Sequence, residues 1–227
     1  MLQLPLDIQL DDSAKFDNYF IGENHQLVDR LTNLRDTHED FIFIWGAEGV
    51  GKSHLAQSVC HSLAASEKTI AYFPVNNPNI GAEYLENLEN IDLICIDGFE
   101  FIASKRDWEE ALFNLYNQLK SHRRQLVIFS QSSPIQMPIL LKDLKSRLGD
   151  MEIYKLKSIS DRQKVEFLME YGRSRGLGIA EDVADFILAR TNREVRDIQS
   201  VVKNLDKQAL AQKRRITIPF VKNVLGI

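Results

Sequence analysis

The sequence contains no apolar run that approaches the about 18 residues of a membrane-spanning helix, and no basic region precedes an apolar one near its start. We therefore expect neither a transmembrane helix nor a secretory signal peptide. Cysteine is also scarce, because Cys60 and Cys95 are the only two and both stand in apolar patterns. Such cysteines are typical of small core residues in a reducing compartment, not of a disulfide framework, so we expect a cytoplasmic protein.

A surplus of positive charge is missing as well. Lysine and arginine total 28 against 32 aspartates and glutamates, and the net charge of −4 argues against a protein that coats nucleic acid through bulk electrostatics. No metal-ligand spacing connects the two cysteines with the five histidines, and we find no internal repeat. The hydrophobic content of 44% and the charged content of 26% are ordinary for a globular protein of one or two domains.

The clearest positive feature is a glycine-rich loop after an apolar run of strand length. The run covers Phe41–Trp45, and Gly46, Gly51, Lys52 and Ser53 then fit the pattern G-x-x-x-x-G-K-[ST]. In such a loop the backbone N–H groups and the start of the next helix face an anion, the lysine contacts the outer phosphates, and the serine hydroxyl is a ligand for Mg²⁺. The alternative is a chance match in a turn, which the flanking strand and amphipathic helix disfavour. The loop therefore predicts a nucleotide phosphate site.

A second apolar run ends in a carboxylate at Asp97. The run is typical of a strand buried on both faces of a parallel sheet, and ligands of such sheets bind at the carboxyl ends of the strands. Asp97 is therefore predicted to hold Mg²⁺ through water beside the phosphate loop, with a structural cap as the alternative. Nucleotidases of this architecture usually place a second acid next, to orient the attacking water, but here that residue is Gly98. Glu100 is displaced by two positions, so we expect nucleotide binding with impaired hydrolysis.

Two further pairs of residues keep two interpretations each. Phe20 and Ile21 belong to an aromatic and aliphatic cluster that either lines the core or presses on a nucleobase. Ser130 and Gln131 end another strand pattern, where they are either turn residues before Pro134 or contacts for the γ-phosphate and the water.

Strands and helices alternate up to about Lys157, and only helical patterns follow. Ser160 and Gln163 form a capping box at the start of the first of these helices. The pattern predicts an α/β domain with a parallel sheet over residues 13–157 and a small helical domain over 158–227. The N-terminal residues 1–12 have no clear period and are interrupted by Pro5, so they are either a disordered tail or an edge strand, and their exposed leucines hint at a partner.

Five elements in order are similar to one family. They are FDNYFIGEN at 16–24, GAEGVGKS at 46–53, the strand that ends in Asp97, DLKSRLG at 143–149 and NREVRDI at 192–198. Over essentially all of its 227 residues the chain resembles the AAA+ ATPases, specifically the ATPase core of the bacterial replication initiator DnaA and the short DnaA homologues that regulate it. The initiator carries a further helix-turn-helix domain, which we do not expect here.

The resemblance implies an α/β fold, an AAA+ P-loop parallel sheet with a small C-terminal helical lid, and a role for each matched residue. Arg147 matches the arginine finger that acts on a neighbour's nucleotide, and Ser53 and Asp97 match the Mg²⁺ site. Phe20 and Ile21 match the adenine pocket, Gln131 or Ser130 the first sensor, and Arg196 the second sensor on the lid. The implied residues for ADP or ATP are Phe20, Ile21, Gly46, Ala47, Glu48, Gly49, Val50, Gly51, Lys52, Ser53, His54, Asp97, Gln131 and Arg196. Without the resemblance, the sequence indicates only solvated helix residues at Arg147 and Arg196.

The N-terminal residues Gln3, Leu4, Pro5 and Leu6 are similar to the peptide that docks in the cleft of the β sliding clamp of DNA polymerase III. Fewer residues separate the two leucines than in the fuller form of that peptide, and no aromatic follows. Together, these matches imply a negative regulator of replication initiation that, with the DNA-loaded clamp, stimulates hydrolysis of DnaA-bound ATP. The alternatives are a self-sufficient loader-type ATPase and a DNA-binding adaptor that uses Lys213–Arg215. The oligomeric state is left open, with a homo-oligomer as one option.

Overall fold

The computed structural model describes residues 10–36, 39–64, 66, 68–192 and 194–227, and at 35, 36 and 196 it describes the backbone alone. The predicted clamp peptide, Gln3–Leu6, lies outside the described residues, as does the side chain of Arg196. The chain divides into a compact unit that ends at Lys157 and a second that begins at Ser158. None of the described helices is both long enough and apolar enough to cross a bilayer.

A parallel sheet forms the centre of the first unit. Its strands are β1 (Phe41–Trp45), β2 (Ile70–Pro74), β3 (Leu93–Asp97), β4 (Gln125–Ser130) and β5 (Glu152–Lys155). Their spatial order is β2-β3-β4-β1-β5, and all four strand pairs are parallel. The three central strands are buried almost throughout, whereas β2 alternates and β5 is mostly exposed. Continuously apolar runs therefore mark the strands that have helices on both faces, as expected for a parallel sheet.

The helices of this unit cover the two faces of the sheet. They are α1 (His25–Thr32), α2 (Lys52–Ala64), α3 (Arg106–Ser121) and α4 (Lys142–Gly149). Because side chains alternate along a strand, Phe41 and Phe43 of β1 pack with α3 and α4, while Ile42 and Ile44 pack with α1 and α2. Trp108 belongs to the α3 side of this core.

Some helix boundaries differ from the sequence patterns. The sequence around residues 83–88 predicts a short helix, but the structure has a single 3-10 turn, Ala82–Leu85, because the chain becomes extended at Glu86. Leucines at 27, 31 and 34 predict that α1 continues to about Arg35, but it ends at Thr32 and tightens into a 3-10 turn, a common form of helix end. Apolar residues at helical spacing predict a helix from about residue 193, but that helix begins at Val195, since Glu194 is extended.

The second unit is helical. Its helices are α5 (Asp161–Ser174), α6 (Glu181–Leu188), α7 (Val195–Gln212) and α8 (Ile218–Leu225). The predicted capping box is present: the Ser160 N–H donates to Gln163 at 2.8 Å, and the Gln163 N–H donates to the Ser160 hydroxyl at 3.3 Å. Apolar residues at helical spacing, such as Ile198, Val202 and Leu205 of α7, are fully buried.

Candidate nucleotide-binding site

The carboxyl ends of three adjacent strands form one site. Since β4 lies between β1 and β3, the loop after β1 and the end of β3 flank the end of β4. The Gly46 N–H donates to the Ser130 carbonyl at 3.1 Å, and the Gly98 N–H donates to the Phe129 carbonyl at 3.1 Å. Topology therefore places the glycine-rich loop and Asp97 at the same edge, where parallel sheets bind ligands.

The glycines of the loop are required by its geometry. Gly51 has φ +98°, and a β-carbon there would lie 2.9 Å from a ring carbon of Tyr19. A β-carbon on Gly46 would lie 2.7 Å from the Leu156 carbonyl oxygen, a distance too short for any side chain. The loop thus keeps its curved backbone and leads directly into the amino terminus of α2, the arrangement that cradles phosphate groups.

Lys52, the first residue of α2, holds its ammonium group inside the curve of the loop. The side chain is buried, and Nζ donates to the carbonyl oxygens of Gly46 and Ala47 at 2.8 Å each. Burial lowers the pKa of Lys52, and the acidic side chains at this edge of the sheet, foremost Glu100, oppose that shift. The result is a cation directed at the loop in which the phosphates of a nucleotide would lie.

Asp97 and Ser53 form an oxygen pair beside this cation. Asp97 is 7% exposed, and its carboxylate accepts a hydrogen bond from the Tyr72 hydroxyl at 2.9 Å. Burial raises the pKa of Asp97, and hydrogen bonds from Ser53 and Tyr72 act in the opposite direction. Carboxylate and hydroxyl oxygens suit Mg²⁺, which usually completes its shell with water and substrate phosphates. The pair therefore fits the metal that accompanies a nucleotide, although the described residues contain no group of three or more acidic, histidine or cysteine ligands.

Gly98, the residue after Asp97, cannot supply a second acid. Glu100, the next acidic residue along the chain, forms a hydrogen bond at the end of β4. β3 ends at Asp97, and Gly98 turns the chain with φ +92° into a 3-10 turn. Glu100 in that turn comes back to the sheet edge, where its carboxylate accepts the Gln131 N–H at 3.0 Å. The carboxylate therefore lies at the end of β4 and not along an extension of β3.

The two alternatives for the first sensor differ in exposure. Ser130 is fully buried, and its hydroxyl donates to the sulfur of Met137 at 3.4 Å. Gln131, the next residue, is exposed just beyond the carboxyl end of β4. The side chain that is free to meet a ligand at this edge is thus that of Gln131.

One ring of the aromatic cluster before α1 lies against the glycine-rich loop. Phe20 and Ile21 are half-buried, and Ile21 packs against the core on the α2 side. Tyr19 contributes more directly than sequence reasoning anticipated, since its ring touches the Gly51 position and lies 5.6 Å from the ring of His54. Burial raises the pKa of Tyr19 and lowers that of His54. In the sequence, Tyr19 is marked only by its position next to Phe20. The local pattern does not distinguish which of these two rings contacts the glycine-rich loop.

Arg147 lies apart from this site, on α4. Its side chain is exposed, and the centre of its guanidinium is 5.9 Å from the centroid of the Tyr116 ring on α3. Within the described part of the chain, no carboxylate lies at salt-bridge distance from Arg147. Arg196 lies in α7 of the second unit, and nothing is described of its side chain.

Comparison with known families and structures accounts for both units. Residues 10–155 match the family model of the bacterial DnaA ATPase domain, and residues 161–225 match that of the Hda lid domain. Domain III of DnaA from Thermotoga maritima superposes with a TM-score of 0.77 over 96% of this chain and 98% of that one, at 18% identity. AMPPCP-bound DnaA from Aquifex aeolicus gives a TM-score of 0.76 over 91% of this chain and 71% of that one, also at 18% identity.

The branch migration motor RuvB from Thermotoga maritima is similar at a TM-score of 0.65, over 89% of this chain and 68% of that chain, at 18% identity. The sheet order, the glycine-rich loop and these matches together establish an α/β AAA+ fold with an Hda-type lid. The fold that the resemblance implied is thereby confirmed.

Proposed function

The chain belongs to the bacterial DnaA ATPase domain family, and on this premise we propose that it binds an adenine nucleotide and activates hydrolysis of ATP held by DnaA. The observation that carries the proposal is the exposed guanidinium of Arg147, which lies on α4 without a carboxylate partner among the described residues. A positive charge placed on the transferring phosphoryl group of another molecule increases the rate of hydrolysis by about 10³–10⁵-fold.

The chain's own site serves as a scaffold in this proposal. The N–H groups of Gly46–Ser53 and the ammonium of Lys52 bind the phosphates, and Ser53 and Asp97 hold Mg²⁺. Bound Mg²⁺ neutralises phosphate charge and fixes the geometry of the phosphates. Phe20 and Ile21 contact the adenine. Gln131 acts as the first sensor and Arg196 as the second sensor, as the family resemblance implies. The AMPPCP in the Aquifex aeolicus relative supports nucleotide binding.

We favour ADP as the resident nucleotide. Gly98 stands where the water-orienting acid is expected, so hydrolysis in this site is slow and the product state persists. Residues Gln3–Leu6 dock on the β sliding clamp of DNA polymerase III, which brings the chain to DnaA on DNA. The outcome is a negative regulator of replication initiation.

The decisive experiment measures hydrolysis of labelled ATP bound to DnaA, with and without the DNA-loaded clamp. We expect stimulation by the wild-type chain and its loss, by about 10³-fold, in Arg147→Ala. Lys145→Ala on the same helix is the matched control and retains stimulation. If Arg147→Ala stimulates like the wild type, the proposed function of α4 is wrong.

Two further measurements address the tail and the nucleotide. Replacement of Gln3 and Leu4 by alanine removes clamp pull-down and clamp-dependent stimulation, whereas retained pull-down contradicts the docking role. Chromatography of the nucleotide released by denaturation identifies it, and we expect ADP.

A self-sufficient ATPase is the second candidate function. The observation in its favour is Glu100, whose carboxylate comes back to the sheet edge near Lys52 and can substitute for the missing acid. Turnover of ATP by the isolated chain, lost in Glu100→Gln, favours this candidate. Absence of turnover leaves Glu100 as a backbone acceptor for Gln131.

A further inference from the structure

Glu109, in the first turn of α3, is a buried acid that lies outside the nucleotide site. It is 1% exposed, the lowest exposure of any acidic residue in the described part of the chain. Its carboxylate accepts hydrogen bonds from three backbone N–H groups: Ser104 at 2.8 Å, Leu140 at 2.9 Å and Leu141 at 2.7 Å. A buried charge satisfied by convergent backbone groups fixes the conformation of the segments that supply them.

Two of these amides belong to the start of the helix that carries Arg147. Leu141 is the N-cap residue of α4, and Leu140 precedes it. Backbone N–H groups at a helix start have no partner within the helix, and a negative charge there is favourable. Glu109 therefore acts as a cap for α4 that is provided by another helix.

A second hydrogen bond joins the loop before α3 to the segment before α4. Ser104, in the loop before α3, has φ +69°, and its hydroxyl donates to the Pro138 carbonyl at 2.6 Å, just before α4. Farther along α3, the ring of Tyr116 contacts the guanidinium of Arg147. Thus α3 contacts α4 at its start through Glu109 and near its end through Tyr116.

Apart from its contacts with Glu109 and Tyr116, α4 is anchored to the core along one face. It spans eight residues, and of these only Leu144 and Leu148 are buried. Isolated helices of this length are marginal, so the placement of α4 depends on its tertiary anchors. Loss of the cap at Leu140 and Leu141 frees the start of the helix and lets its exposed arginine move.

We infer that Glu109 is the positioning residue for Arg147: its buried carboxylate fixes the start of α4 so that the guanidinium is presented in one orientation. This inference rests on the proposed function of Arg147. A misplacement of about 1 Å in a reacting group can reduce a rate about 10²-fold, so even a small shift of α4 is measurable.

The first test uses Glu109→Gln with Glu110→Gln as the matched control. The substituted amide would have the same shape as the carboxylate of Glu109 but would place a donor against the backbone N–H groups, whereas Glu110 is exposed and pairs with Arg106 at 2.8 Å. Hydrogen exchange of the Leu140 and Leu141 amides is expected to rise at least about tenfold in Glu109→Gln, with no change in the middle of α3 or in Glu110→Gln. Unchanged exchange at both amides overturns the inference.

The second test separates binding from activation. In hydrolysis of DnaA-bound ATP, Glu109→Gln is expected to lower the maximal stimulation roughly tenfold while the half-maximal concentration of the chain and its ADP affinity stay the same. Combined with Arg147→Ala, it should add no further loss, because it acts through that arginine. An additive loss contradicts the positioning role.

The same experiments distinguish failure of this inference from failure of the proposed function. If the wild-type chain does not stimulate DnaA, the proposed function is wrong, while exchange at Leu140 and Leu141 still decides whether Glu109 holds α4. If Glu109→Gln does not fold, Glu109→Asp keeps the charge but shortens the side chain, so that its carboxylate no longer reaches all three backbone N–H groups. We expect this variant to raise exchange at Leu140 and lower the maximal stimulation about threefold, and wild-type behaviour in both would contradict the inference.

Discussion

Charged side chains have different partners at the two ends of the parallel sheet. At the amino end, charged side chains contact one another: Arg30 bridges Asp40 and Glu152, and Arg124 pairs with Asp92. At the carboxyl end, Lys52 donates to two carbonyl groups of its own loop, and Asp97 accepts from a tyrosine hydroxyl. Direct ion pairs therefore match the charges of Arg30 and Arg124 at the amino end, whereas dipoles contact the charges of Lys52 and Asp97 in the nucleotide site; the ion pair of Lys157 with Glu23 at the carboxyl end lies between exposed side chains.

This difference separates stability from function within one domain. Ion pairs that are partly buried neutralise each other, so their main effect is on the free energy of unfolding. A charge held by backbone dipoles keeps its field and can act on a charged ligand or a developing charge. Substitutions at the two ends should therefore separate ligand affinity from the free energy of unfolding.

Replacement of Lys52 by alanine should weaken ADP binding about 100-fold, since hydrogen bonds to charged groups contribute about 1.5–3 kcal/mol. The free energy of unfolding should change little, because Lys52 is not part of an ion pair in the described structure. Titration calorimetry with ADP and Mg²⁺ checks the first value, and urea unfolding checks the second. Binding as tight as in the wild type would mean that the loop does not hold the phosphates.

Replacement of Arg30 by methionine should have the converse effect. It removes the guanidinium from Asp40, which is 8% exposed, and should lower the free energy of unfolding by about 2 kcal/mol, between the values for exposed and buried pairs. ADP affinity should remain the same. The control Arg106→Met breaks an exposed pair with Glu110 and should cost less than about 0.5 kcal/mol. A loss of ADP affinity in Arg30→Met would contradict the assignment of the amino end to stability and the carboxyl end to ligand binding.

Tyr72→Phe should reveal a smaller, metal-dependent effect at the carboxyl end. The change removes the hydroxyl that donates to Asp97, and we expect ADP affinity with Mg²⁺ to fall about fivefold, equivalent to about 1 kcal/mol. In EDTA the affinities of variant and wild type should coincide. Tyr154→Phe is the matched control, because that hydroxyl contacts Glu152 at the amino end, at 3.2 Å. An equal loss with and without Mg²⁺ would contradict the role of Asp97.

The smallest effect is a pH dependence at the amino end. Hydrogen bonding from Arg30 lowers the pKa of Glu152 below its ordinary value. The ionised form is thus favoured in the folded state, so its contribution is present above about pH 4.5 and is lost as pH falls through the lowered pKa. Urea unfolding of the wild type and Glu152→Gln should differ by less than about 1 kcal/mol at pH 7, and the difference should vanish at an acidic pH below the lowered pKa. A difference that persists at that acidic pH would rule out the ion pair as its source.

The sequence predicted the features of this molecule that depend on residues close together along the chain. The strand β1, the loop from Gly46 to Ser53 and the capping box of Ser160 are each specified within a few residues, because strand burial, loop curvature and helix capping are local requirements. The buried strand that ends at Asp97 was equally predictable, since it is apolar on both faces. The change of pattern near Lys157 predicted the two-part organisation, and the family resemblance added the AAA+ fold and the lid.

Other features join residues that are distant along the chain. The hydroxyl of Tyr72 meets Asp97 across 25 positions, and Glu109 meets Leu140 across 31. The sequence indicated only a displaced acid at Glu100, and the turn at Gly98 and the adjacent β4 are needed to show that its carboxylate binds the Gln131 N–H. No local sequence pattern specifies such pairs, because the residues come together only through the order of the strands or the packing of loops that are distant along the chain.

By itself, the sequence determined that this protein has a phosphate loop, buried parallel strands and a helical second unit, because each is encoded in short-range spacing of glycine, apolar and capping residues. Only the tertiary structure decided which charges neutralise each other and which stay available. That outcome depends on the strand order β2-β3-β4-β1-β5 and on the contact of α3 with α4, which bring distant side chains within hydrogen-bonding distance.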